Sequence, residues 1–217
     1  MFIEKMIKIK IINDTDPMNP REGWDNLGTM CCWHSRYNLG DKNGPDKLRT
    51  AVMTDKNYKE SWEDWDSGYY KDLTDPQTMI RTAEQLGFII LPLYLYDHSG
   101  ITMNTTGFYC RWDSGQVGVI FVTREKAREW FSVKRISPKM LELVKDCLRG
   151  EVETYDQYLI GDVYGFRIIE VDEDDEEIDE IDSCWGFFGD DYKTNGMIEH
   201  WPEEYQDIEP EFEWEDA

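Results

Sequence analysis

Three histidines occur in the 217 residues, His34, His98 and His200. His98 stands in Tyr96-Asp97-His98-Ser99, His34 closes Cys31-Cys32-Trp33-His34, and Asp113 opens Asp113-Ser114-Gly115. An imidazole beside a carboxylate can carry a proton between reacting groups. Asp97, His98 and Asp113 also fall at the ends of expected strands, where loops commonly hold active sites. His34, Asp97, His98 and Asp113 are therefore the candidate catalytic set. Turns made from Asp, Ser and Gly explain the same letters without chemistry, so enzyme activity stays open, with binding favoured over catalysis.

The five cysteines, Cys31, Cys32, Cys110, Cys147 and Cys184, are odd in number and contain no CxxC pair. That pattern fits reduced thiols and argues against a secreted disulfide framework. Cys31, Cys32, His34, His98 and Cys110 could ligate zinc only if folding gathered them, because none has the usual ligand spacing. No metal is expected. Neither GxGxxG nor GxxxxGK[ST] occurs, so no nucleotide cofactor of those kinds is expected. Three Trp-Asp segments, at Trp24, Trp65 and Trp112, suggest a propeller repeat. They lack a Gly-His partner and are interrupted by helices. The expectation is a turn after a buried tryptophan in each.

Charge is the second chemical signal. The chain is formally −23 at pH 7, with residues 170–217 holding 21 Asp+Glu and a single Lys. Such a segment repels phosphates, so direct nucleic-acid binding is not expected. It suits a basic protein surface and would speed the encounter with one. Within it, Asp172, Asp174, Asp175, Glu176 and Asp179 form the candidate binding set. An extended strand rises roughly 3.3 Å per residue, so two acid-bearing strands can approach the phosphate density of a duplex. Repulsion among the carboxylates of 172–182 is expected to raise their pKa values.

These residues need a scaffold. Ile7, Ile9 and Ile11 alternate with lysines as a half-buried strand. Short strands follow at 29–34, 88–96, 101–105 and 116–123. Thr74-Asp75-Pro76 opens a helix that Gly87 ends. Residues 124–131 form another. Ser137-Pro138 starts a third, which Gly150 should stop before a short helix near 152–159. Asp41–Lys47 reads as a loop, and 50–73 give no clear pattern. VYGFRIIEV and EEIDEIDSCWGFFG flank an acidic turn as a hairpin. Ile178 and Ile181, three apart, imply a bulge or a late strand start. The expected fold is α+β, a mostly antiparallel sheet with helices packed on one face, as a single domain over 1–189 with an acidic extension over 190–217. No apolar run reaches the roughly 20 residues of a membrane span, and the N-terminus has no signal-peptide pattern. A cytoplasmic protein without membrane contact is the expectation.

The stretches NPREGWDNLG, CWHSRYNLGD, PLYLYDHSGIT, WDSGQVG, RGEVETYDQYL and SCWGFFG together resemble a functionally unassigned family of proteins from tailed phages and related mobile elements. The resemblance spans roughly residues 17–189. It implies a setting, a phage gene acting inside a host cell, and no particular activity. With the charge pattern it leads to an anti-defence or host-takeover protein that binds a host protein's basic nucleic-acid-binding groove through its acidic face. The alternative is a small enzyme or ligand-binding protein acting on a nucleotide or nucleic-acid-derived molecule through the His/Asp set.

Overall fold

A computed structural model describes residues 6–58 and 73–213. The chain is α+β, and its two four-stranded sheets are dominated by antiparallel pairs. It gathers into two compact units, one of Met1–Asn19 with Gln157–Ala217 and one of Pro20–Asp156. The division falls near residues 19 and 156. Residues 190–213 complete the first unit, because their aromatic side chains supply part of its core.

That first unit carries the sheet β7-β6-β1-β8, formed by β1 (Met6–Asn13), β6 (Val163–Val171), β7 (Glu177–Phe188) and β8 (Glu211–Glu213). β1 and β6 pair antiparallel, Ile9 opposite Ile168, while β8 joins β1 in parallel. Side chains alternate across a strand. Ile9, Ile11, Phe166, Ile168 and Phe187 therefore share one face and pack with Tyr192, Met197 and Trp201 from the acidic C-terminal stretch. Trp201 stacks on Tyr192 at 5.3 Å. The other face carries a charge ladder: Lys8 bonds Asp175 and Glu211, Lys10 bonds Glu213, and Arg167 bonds Glu177 and Glu180. On that face Trp185 lies over Gly165, where a Cβ would meet the indole at 2.1 Å.

The second unit holds the sheet β2-β5-β3-β4, formed by β2 (Thr29–Cys32), β3 (Ile89–Asp97), β4 (Ile101–Asn104) and β5 (Ser114–Val122). Helix α1 (Gly44–Thr54) and α2 (Pro76–Gln85) bury Leu48, Val52, Met79 and Ala83 against Val119 and Phe121 of β5. Helix α3 (Arg124–Trp130) follows β5 at once, and α4 (Pro138–Ile160) buries Val144, Leu148, Val152 and Tyr155. Asp75 caps α2 by accepting the Thr78 N–H at 2.7 Å, as its position before Pro76 predicts. Thr123 caps α3 in the same way.

Three expectations are corrected. Gly150 does not stop a helix; α4 runs through it as one element, because Leu148, Val152 and Tyr155 continue one buried stripe across the glycine. Asp41–Lys47 is not all loop, since α1 begins at Gly44 with Pro45 in its first turn. Neither described tryptophan of the Trp-Asp segments is buried: Trp24 is 45% exposed and Trp112 95%, and Ser114 already belongs to β5. Trp65 lies outside the described residues.

Candidate functional site

Helix α4 organises the loops that precede the site. Arg21, its side chain 1% exposed, donates to Asp41 at 2.7 Å, to Glu151 of α4 at 2.8 Å and to the Gly28 carbonyl at 2.9 Å. Glu151 also accepts the Leu27 and Gly28 amides. One turn further on, the Tyr155 hydroxyl accepts the Gly40 N–H at 2.9 Å, and Asp156 accepts from Thr102 Oγ1 and the Met103 amide. Arg21, Gly28, Gly40, Asp41, Thr102, Glu151, Tyr155 and Asp156 all come from the long motif stretches. Much of that sequence therefore serves to fix loops onto one helix, since a buried charge persists only when paired and hydrogen-bonded.

The chain thus held brings three candidates together. β5 is the central strand, with β2 on one side and β3 on the other. The Trp33 amide donates to Val117 as β2 ends, so His34 emerges beside β5. On the other flank Asp97 closes β3, its amide donating to the Asp113 carbonyl at 2.8 Å. A cleft of about 280 Å³ opens there, with His34, Asp97 and Asp113 on its walls together with Arg36, Trp112 and Gln116, and Leu95 and Val117 as apolar surface. His98 is not on the cleft wall, but its Nδ1 lies 3.4 Å from Asp113 Oδ2.

The two imidazoles are held differently. His34 Nδ1 accepts the Arg36 and Tyr37 amides at 3.3 and 3.2 Å, and the ring stacks on Tyr37 at 5.0 Å. An acceptor Nδ1 places the neutral ring's proton on Nε2, which makes that atom a donor. His98 turns Nδ1 toward a carboxylate, which favours the proton there and leaves Nε2 as the basic atom. Asp97 is held by Arg36 and by the Tyr37 hydroxyl. Asp113 Oδ2 also accepts from the Cys110 thiol at 3.5 Å; its Oδ1 has no partner among the described residues. The sequence reading missed Arg36, Tyr37 and Trp112. The first two follow His34 directly in CWHSRYNLGD and could have been read with it.

No described group of three His, Cys, Asp or Glu side chains is placed to hold a metal ion, and the five cysteines are free thiols. Burial raises the Cys31 thiol well above its ordinary range and pushes Cys32 up to about 12, with the Asp41 carboxylate adding to both. Neither is an activated nucleophile.

The acidic candidates belong to the other unit. Asp172 shapes the β6–β7 turn by accepting the Asp174 and Glu176 amides, and Asp175 is paired with Lys8. Asp174, Glu176 and Asp179 are exposed. Arg167, then Ser183, hold Glu180 below the usual carboxylate range, the reverse of the shift expected from repulsion. β7 is a sheet edge, and it displays Ile178, Ile181 and Trp185 among its acids. No described helix is long and apolar enough to cross a membrane. No family model, curated protein or solved structure matches the chain.

Proposed function

We propose that the cleft at the end of β3 and β5 is a small-molecule site, and that the protein is a small enzyme or ligand-binding protein for a nucleotide or nucleic-acid-derived molecule. The observation that supports this reading is the convergence of His34, Asp97 and Asp113 on one concavity, from segments about 60 and 80 residues apart in sequence, with His98 against Asp113. His34 would donate through Nε2 to a ligand acceptor. From outside the cleft wall His98 would hold Asp113 through Nδ1, and the Asp113 carboxylate would take a proton from a water or ligand hydroxyl at the cleft and return it to the leaving group. Arg36 would neutralise an anionic ligand group. The test is turnover of a panel of nucleotides and short oligonucleotides followed by NMR. His98→Ala and Asp113→Asn should cut turnover by roughly 100-fold or more without lowering the melting temperature. A wild type inert to the whole panel, or variants as active as it, would remove catalysis and leave only the ligand-binding form of this reading.

A second reading draws on β7. Three of the four described cations of the first unit, Lys8, Lys10 and Arg167, are already paired with acids, and Lys193 sits over the Tyr192 ring. The excess of carboxylates therefore faces outward beside exposed apolar side chains. On this reading the protein acts in a host cell as an anti-defence or takeover inhibitor, seating β7 in a basic nucleic-acid-binding groove. Reversing Asp174, Glu176 and Asp179 to lysine should slow association with such a partner. Inhibition of unchanged rate and strength in that variant would eliminate it.

A further inference from the structure

We infer that Trp112 is the stacking wall of the cleft and that the ligand presents a nucleobase to it, with a phosphate at Arg36. This rests on the reading of the cleft as a small-molecule site, and it specifies what the site grips. Tryptophan is usually well buried. Trp112 is 95% exposed while lining the cleft, and Tyr109, three residues earlier, is fully exposed. Neither ring touches another ring among the described residues. Trp201, by contrast, is 3% exposed and stacked.

The exposure is built in. Asn104 Oδ1 accepts the Thr106 and Gly107 amides at the start of the loop, at 3.1 and 2.7 Å. Ser114 Oγ donates to the Cys110 carbonyl, the Cys110 thiol to Asp113, and the Asp97 amide to the Asp113 carbonyl. The chain on either side of Trp112 is held by these bonds, and its indole stands in solvent at the opening.

The polar groups choose the ring. A base offers a flat π face for the indole and N–H donors along its edge, which Asp113 Oδ1 can accept. His34 Nε2 offers the complementary donor. Arg36 spends one terminal nitrogen on Asp97 and keeps further N–H groups of its guanidinium for a phosphate; a neutral sugar would offer those donors only uncharged acceptors, which make weaker hydrogen bonds. The volume, about 280 Å³, suits one nucleotide unit, either free or at the end of a single strand.

Calorimetric titration of the full chain tests this with the four nucleoside monophosphates, ribose 5-phosphate, methyl glucoside and a short single-stranded oligonucleotide. At least one monophosphate should bind. Trp112→Ala should weaken it roughly 5- to 100-fold, the range for losing one base–aromatic stack, while Trp112→Phe keeps most of the affinity. Ribose 5-phosphate should bind more weakly than the nucleotide by a similar factor. An oligonucleotide tighter than the monophosphate identifies a strand end as the source; equal or weaker binding identifies the free nucleotide. Both variants should melt with the wild type, because the side chain is exposed. If Trp112→Ala binds like wild type while Arg36→Ala does not, stacking is wrong and the cleft stands. Glucoside binding without nucleotide binding overturns the nucleobase. If wild type binds no member of the panel, the inference and the reading of the cleft fall together.

Discussion

Arg21 is the residue on which the second unit's loops depend. Its guanidinium is buried between Asp41, Glu151 and a carbonyl. Removing one partner of such a group strands the others without solvent. Arg21→Ala should therefore destabilise by about 3–5 kcal/mol, measured by urea unfolding; a loss under about 1 kcal/mol would mean that water reaches the site. Protons give a second test at this scale. Desolvation raises Cys31, Cys32 and Tyr164, with Asp162 adding to the last. Unfolded thiols and phenols ionise at roughly 8.5 and 10, so above those values the unfolded chain has lost protons that the folded protein keeps. Stability should be full below about pH 8.5 and fall steadily as pH rises toward 12. A flat alkaline profile of the unfolding free energy would contradict the burial. Chemistry-bearing residue types were legible in the sequence, since His34, Asp97, His98 and Asp113 stand at strand ends. Their partners were not, because Arg36–Asp97 and His98–Asp113 are contacts that only strand pairing creates.

At the scale of elements, helix starts were easier to read than helix ends. Asp75-Pro76 and Ser137-Pro138 announce their helices through local capping, which needs no tertiary partner. Gly150 misled because its local cost, about 1 kcal/mol relative to alanine, is outweighed by the buried stripe on either side. A Cβ at Gly150 would meet nothing within 4 Å. Gly150→Ala should then raise stability by about 0.4–1 kcal/mol in thermal or urea unfolding, and destabilisation would show that α4 is not continuous there. The irregularity of β7 is legible in the sequence. The three-residue spacing of Ile178 and Ile181 breaks alternation, and β7 skips register at both residues as it pairs with β6. Bulges and acids together keep an edge strand from pairing with other chains, so β7 protects its own sheet whatever else it binds.

Over the whole molecule, charge and architecture coincide. Residues 1–19 and 157–217 hold five Lys+Arg and 25 Asp+Glu, a net of −20, while residues 20–156 hold 18 and 21, a net of −3. The sequence places the acid at the C-terminal end; folding makes it the property of a unit that also takes in the N-terminal strand. That pairing of chain ends leaves no local trace in the sequence. Repulsion inside the acidic unit is screened as the Debye length falls from about 30 Å at 0.01 M salt to about 8 Å at 0.15 M. The melting temperature should rise over that range, and a temperature independent of salt would mean that the carboxylates are already compensated.

The central claim, that the cleft beside β5 is where this protein meets its ligand, is tested most directly by NMR amide shifts during titration of the labelled full chain with a nucleoside monophosphate. Saturable shifts should be concentrated in residues 34–37, 95–98 and 112–117. Shifts confined to β7 and its turn, or none at saturating ligand, would contradict it.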